Sequence, residues 1–214
     1  DLLRRAFQTV VDRHESLRTT FHTVHGEPRQ RILPHLEFAL AEIDLRGSAD
    51  LQAAIRGYAR ENAEQPFDLG KGPLFRSALL RVADAKHVLL FTIHHIVSDA
   101  WSLQVMVREL LTLYRGLAQG AAPELPPLPI QYKDYAAWHN ALIAGGRLEE
   151  QRKYWLEKLG GELPPLELPL DRPRPAEQTY NGRTLRHSFV AELLERLERF
   201  SRERSTTLFA VLLA

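Results

Sequence analysis

The sequence predicts a mixed α/β protein, and three observations carry that prediction. Apolar residues recur at helical spacing from Leu2 to Val11 and again from Ser102 to Leu117. Between them lie two β-prone runs, Leu74 to Val82 and His87 to Ile93, joined by the short polar loop Ala83-Asp84-Ala85-Lys86. The apolar stretch Val88 to Ile93 is far too short to cross a bilayer, so no membrane partner is expected.

Each element has its own signal. Leu2, Leu3, Ala6, Phe7, Val10 and Val11 line one face of the first helix. A turn at Gly26-Glu27-Pro28 divides two β-prone segments, the second reaching Leu33, and predicts a hairpin. Phe38 to Leu45 is a weaker strand. Ser48 is the expected N-cap of a helix running to Asn62. In the Ser102 to Leu117 helix, Val105, Leu110, Leu113 and Leu117 are apolar.

Composition then shifts, because nine of the thirteen prolines lie between Pro123 and Pro175. Proline lacks an amide hydrogen and cannot serve inside helices or central strands, so these are connectors. Two helices are expected among them, Gln131 to Ala144 and Arg147 to Leu159. Leu163 to Pro175 reads as an extended, semi-rigid linker. Beyond it, Arg183 to Val190 reads as a strand, Ala191 to Arg204 as a helix and Thr206 to Ala214 as the start of another. A boundary near Pro173 divides residues 1–172 from 173–214. The chain opens on what reads as mid-helix and closes inside an apolar helical pattern. It is therefore read as a piece of a longer protein.

The 214 residues include 28 Lys+Arg and 27 Asp+Glu, a formal net charge of +1. A dedicated nucleic-acid binder carries a basic excess or stripe, and neither is visible, so nucleic acid is not an expected partner. The absence of cysteine excludes disulfides, Cys-ligated zinc, iron–sulfur clusters and a cysteine nucleophile. It fits a reducing compartment. No Gly-x-Ser-x-Gly elbow and no phosphate-binding loop occurs.

The informative segment is Phe91-Thr92-Ile93-His94-His95-Ile96-Val97-Ser98-Asp99-Ala100-Trp101-Ser102. Strand side chains alternate faces, so one histidine points into the body of the fold and the other across its rim. An imidazole accepts a proton or a hydrogen bond near neutral pH, and an Asp close by can orient it or tie the loop to an Arg. A single histidine at a strand end is usually a packing residue. Two in tandem, followed by Ser98, Asp99 and Trp101 on a loop, are harder to dismiss. Adjacent strand histidines diverge, which argues against a metal shared by His94, His95 and Asp99.

His94-His95-Ile96-Val97-Ser98-Asp99-Ala100 resembles the His-His-x-x-x-Asp-Gly core of condensation domains of nonribosomal peptide synthetases. Arg13-His14-Glu15-Ser16-Leu17-Arg18-Thr19-Thr20-Phe21 resembles the family's upstream Arg-His-Glu-x-Leu-Arg-Thr-x-Phe motif. Pro66-Phe67-Asp68-Leu69, Gly72-Pro73-Leu74-Phe75-Arg76, Gln131 to Trp138, Tyr154-Trp155 and Leu168 to Pro175 follow in the family's order.

The resemblance implies a two-lobed, V-shaped domain. Each lobe resembles chloramphenicol acetyltransferase, a two-layer sandwich of mixed sheet and helices, with the active site in a tunnel between lobes. Residues 1–172 would form the N-terminal lobe, short of its first strand and helix, and 173–214 the crossover and the opening of the second lobe. The chain alone would then lack the second tunnel wall and be inactive. The implied reaction is amide formation between a donor thioester and the α-amine of an acceptor. Both are carried on phosphopantetheine arms of peptidyl carrier proteins, beside an adenylation domain in a cytoplasmic synthetase. No tightly bound cofactor or metal is implied.

His95, the second histidine of the motif, is the catalytic residue so implied, as general base or as a hydrogen-bonding group. His94 supports the loop from inside. Asp99 is expected to pin the loop through a buried ion pair with Arg18, or failing that Arg13. Such pairs are costly to break on one side. Ser98 and Trp101 complete the support. Ala100 stands where the family has Gly, and would be strained if the site needs a positive φ there. Phe67, Leu74, Trp138, Tyr154 and Trp155 read as packing residues. The turn resembles the subtype that joins two L-configured residues. Two alternatives are a catalytically silent docking platform and a freestanding acyltransferase using soluble thioesters.

Overall fold

The computed structural model describes residues 1–121, 123–165, 167–179, 182 and 184–214. The chain divides into two compact units, Asp1–Gly160 and Gly161–Ala214. The first is a mixed α/β unit, the class expected from the sequence.

Helix α1 (Leu2–Arg13) buries the stripe Ala6, Phe7, Val10 and Val11 that its periodicity marks. A single 3₁₀ turn, Glu15–Arg18, leads into β1 (Thr19–Val24), which pairs antiparallel with β2 (Glu27–Ile32). The hairpin turn is His25-Gly26, one residue earlier than the sequence suggests, and Glu27 and Pro28 already belong to β2, opposite Val24 and Thr23. The reason is conformational. His25 and Gly26 have φ of 53° and 81°, the left-handed pair that a two-residue hairpin turn requires.

A three-stranded sheet forms the centre. Strand β3 (Ala41–Asp44) runs parallel to β4 (Phe75–Ala83), and β4 pairs antiparallel with β5 (Lys86–Ile93). Between them in sequence, α2 (Leu51–Glu64) is capped by Asp50, whose carboxylate accepts the Ala53 N–H at 2.9 Å. Ser48, the cap expected from sequence, instead donates its N–H to the Leu45 carbonyl in the preceding turn. Asp50 sits directly before the first helical turn, within reach of the N3 amide, and Ser48 does not.

Both sheet faces are covered. Phe75, Phe91 and Ile93 face α1 and α3 (Ala100–Ala118), with Met106, Leu110 and Leu113 of α3 buried there. Phe7 stacks on Phe38 at 4.4 Å between ring centres, and on Phe91 at 5.7 Å. On the opposite face, Ala78, Leu80, Val88 and Leu90 meet Leu51, Ala54 and Ile55 of α2. Alternation along β4 and β5 feeds both cores from the same two strands. Helices α4 (Tyr132–Ala144) and α5 (Glu149–Leu159) complete the unit. Leu74 is buried, whereas Trp138, Tyr154 and Trp155 are all more than half exposed and are not core residues of this unit.

The second unit contains α6 (Ala191–Glu203) and α7 (Leu208–Leu213), the latter capped by the Thr207 hydroxyl, which accepts the Ala210 N–H at 3.1 Å. The strand expected over Arg183 to Val190 is not there. Residues 184–190 are in neither helix nor strand, and Arg183 lies outside the described residues. β-prone sequence becomes a strand only where another strand takes its amides and carbonyls, and no described strand does so here. Residues 163–165 and 167–175 are likewise without helix or strand, with Leu166 outside the described residues. Among the described residues, no helix is long and apolar enough to cross a membrane.

Candidate functional site

The site grows from the end of β5. The His94 N–H donates to the Leu74 carbonyl at 2.8 Å, carrying the β4–β5 pairing one residue past the strand. The chain then turns sharply. The Val97 N–H returns to the His94 carbonyl at 3.1 Å, and the Ile96 N–H donates to His94 Nδ1 at 3.0 Å. An imidazole nitrogen that accepts a hydrogen bond carries no hydrogen, so His94 holds its proton on Nε2. The His94 ring is partly buried, edge-on to Phe67 with centres 5.9 Å apart. Val97 is buried and anchors the turn from below. His95, at the tip, is exposed.

Asp99 is the N-cap of α3. The Ser102 N–H donates to its carboxylate at 2.8 Å, and the Asp99 N–H donates to the Ser102 hydroxyl at 2.6 Å, a reciprocal capping box. The Ser102 amide, followed by the Ser102 hydroxyl and the Trp101 amide, holds the Asp99 carboxyl below its ordinary value, with His95 adding a smaller attraction. The expected ion pair to Arg18 does not form. Arg18 donates to the Leu33 carbonyl and lies 3.7 Å from the Glu15 carboxylate. Arg13, the other expected partner, donates from Nε to Glu109 at 3.2 Å and to the Pro126 carbonyl. The free amides of a helix start lie within three residues of Asp99, and they win over guanidinium groups already engaged elsewhere.

Ala100 is the first residue of α3, and its φ is not positive. The strain expected of alanine in a glycine position is therefore absent. Trp101 is 76% exposed.

His95 opens onto a cleft of about 380 Å³, lined also by His14, Ser16, Ser98, Asp99, Gln131 and Tyr132. A smaller cavity of about 200 Å³ shares His14, Ser16 and Ser98 with it and is bordered by Trp101. His14 was not singled out by sequence, and it is tightly held. Its Nε2 lies 2.6 Å from Glu109 Oε2 on α3. Gln131 brackets it, donating to the Arg13 carbonyl at 2.9 Å and accepting the Glu15 N–H at 3.1 Å. Lys133 pairs with Glu15 at 2.8 Å. His14 and Gln131 both stand inside recognisable motifs, which was the available signal. Nothing in sequence spacing links His14 to Glu109, 95 residues away. Among the described residues, no group of three or more His, Asp and Glu side chains gathers as metal ligands would.

A family model described as "Condensation domain" matches residues 1–214. Malpibaldin synthetase of Mortierella alpina is 42% identical over 99% of this chain. Phosphinothricin tripeptide synthetase PhsB of Streptomyces viridochromogenes is 44% identical over all of it. The chain spans 4% and 18% of these two relatives. Among solved structures, the X-domain from teicoplanin biosynthesis matches with a TM-score of 0.81 and 30% identity, over 96% of this chain and 46% of that one.

Proposed function

The chain belongs to the condensation-domain family, and from that premise we propose that it serves in amide bond formation during nonribosomal peptide synthesis. A donor aminoacyl or peptidyl group arrives as a thioester on the phosphopantetheine arm of one carrier protein. The α-amine of an aminoacyl group on a second carrier attacks the thioester carbonyl, the amide forms and the donor thiol leaves. Residues 1–172 belong to the first lobe, and 173–214 are the crossover and the start of the second. The partners are the two carriers and an adjacent adenylation domain, the compartment is the cytoplasm, and the residues joined are both L-configured.

One observation carries the reading: the tandem histidines are divided by the turn. His94 is occupied within the fold, and His95 is free at the edge of the cleft beside Ser98 and Asp99. His95 receives the amine proton or holds the amine during attack. Thioesters are already reactive, so orientation of the two arms supplies much of the acceleration. Asp99 acts on the loop through the start of α3, and Arg18 and Arg13 act on the frame around it. An intact His94, His95 and Asp99 core supports an enzyme over a docking platform.

The test is product formation by the intact synthetase domain with donor-loaded and acceptor-loaded carriers, read by mass spectrometry of the acceptor carrier. A dipeptidyl mass in wild type, largely lost in folded His95→Ala, is the expected result. No product from wild type with several loaded pairs would overturn the reading.

A further inference from the structure

We propose that His14 is a second substrate-binding histidine of the cleft, which accepts a hydrogen bond from the attacking amine. The proposal rests on the amide-forming reading above and gives a role to a residue that reading leaves idle.

His14 is held on both its backbone and its side chain. Gln131 donates to the carbonyl before it and accepts the N–H after it, at 2.9 and 3.1 Å. One amide side chain thus acts on His14 as a neighbouring strand would, and fixes its backbone against the start of α4. The ring is fixed separately, by the 2.6 Å contact of Nε2 with Glu109. The side chain is 21% exposed, and it lines both the cleft reached by His95 and the smaller cavity beside it.

The partners decide what the ring offers. A carboxylate only accepts hydrogen bonds, so Nε2 carries the hydrogen. Arg13 donates to the other oxygen of the same Glu109 at 3.2 Å. Glu109 is therefore also paired with a guanidinium. In the neutral ring Nδ1 then carries the lone pair, and among the described residues it has no hydrogen-bond partner. A fixed acceptor in a cleft takes an N–H donor. In thioester aminolysis the donor at the reacting centre is the attacking amine, whereas the carbonyl and the departing thiolate are acceptors. His14 holds the amine, and Glu109 and Gln131 are the positioning residues that aim it.

The experiment is steady-state kinetics on the intact synthetase domain, with acceptor-loaded and donor-loaded carriers varied in turn. His14→Ala is expected to raise the acceptor KM roughly tenfold, the size of one neutral hydrogen bond, with donor KM and kcat unchanged. His14→Gln, whose amide supplies one donor for Glu109 and one acceptor for the amine, is expected to restore the acceptor KM. His14→Leu, which keeps the volume, serves as the deletion variant if His14→Ala does not fold. An unchanged acceptor KM in a folded deletion variant overturns the proposal. So does an equal rise in both KM values, or a loss confined to kcat. Absence of product from the wild-type domain overturns the amide-forming reading itself, and that is visible before any variant is made.

Discussion

His94 Nδ1 accepts the backbone N–H of Ile96 at 3.0 Å, so the ring of one histidine holds the turn that presents the next. The two histidines therefore differ in what their loss does. His95→Ala removes an exposed side chain at a turn tip, and should change stability by less than about 0.5 kcal/mol. The same change should lower turnover by about 10²–10⁴-fold, the range for a removed acid–base group. His94→Ala leaves the Ile96 amide without its acceptor and should cost about 1 kcal/mol of stability. Denaturant unfolding beside product assays on the intact domain separates the two; equal stability losses would contradict the division of roles.

Asp99 makes the stability of the α3 start depend on pH. Its folded-state pKa lies below the ordinary value, chiefly through the Ser102 amide and hydroxyl. The contribution is therefore full above the ordinary Asp value of about 3.9 and fades as pH falls through the depressed folded value. The stability difference between wild type and Asp99→Ala should be present at pH 7 and shrink in acid. A difference that grows on acidification would contradict the capping role.

Arg76 ties β4 to the loop that follows α2. Its guanidinium donates to the carbonyls of Asn62 at 2.8 Å and Gln65 at 2.5 Å, and lies 3.8 Å over the Phe67 ring. Phe67 in turn meets the His94 ring edge-on. Arg76→Ala should destabilise by about 1 kcal/mol, because the part-buried Asn62 carbonyl and the exposed Gln65 carbonyl lose a charged donor. Arg76→Lys keeps the charge but not the planar fork, and should recover only part of the loss. Hydrogen exchange over residues 62–70 would report the opening directly, and unaltered protection there would sink the assignment.

Gly26 holds a φ of +81°, and nothing lies within 4 Å of the position a Cβ would take. Gly26→Ala should therefore cost about 1 kcal/mol through backbone conformation alone, since no clash contributes. Gly26→Asn, which tolerates the left-handed region better, should cost less than Ala. Thermal unfolding of the two variants gives the order, and the reverse order would point to a side-chain contact at the turn.

Much of this was legible in the sequence because it is local. The α1 stripe of Phe7, Val10 and Val11 is set by a 3.6-residue period, and the β4 and β5 runs by a two-residue one. The tandem histidines and Asp99 stand out as residue types in a short run. Two of the differences come from a local competitor. The hairpin turn moved because two left-handed residues were needed side by side. The α2 cap moved because Asp50 lies nearer the first turn than Ser48. The strand expected up to Val190 failed because pairing is a property of two segments.

By itself the sequence determined the elements, their apolar faces and the segment that carries the chemistry. Only the tertiary structure decided that Asp99 serves the α3 start and not Arg18, and that His14 stands at the cleft beside His95. Those outcomes depend on competition among hydrogen-bonding groups brought together across many residues. Glu109 reaches His14 across 95 positions and Gln131 reaches Arg13 across 118, distances over which no periodicity or propensity carries information.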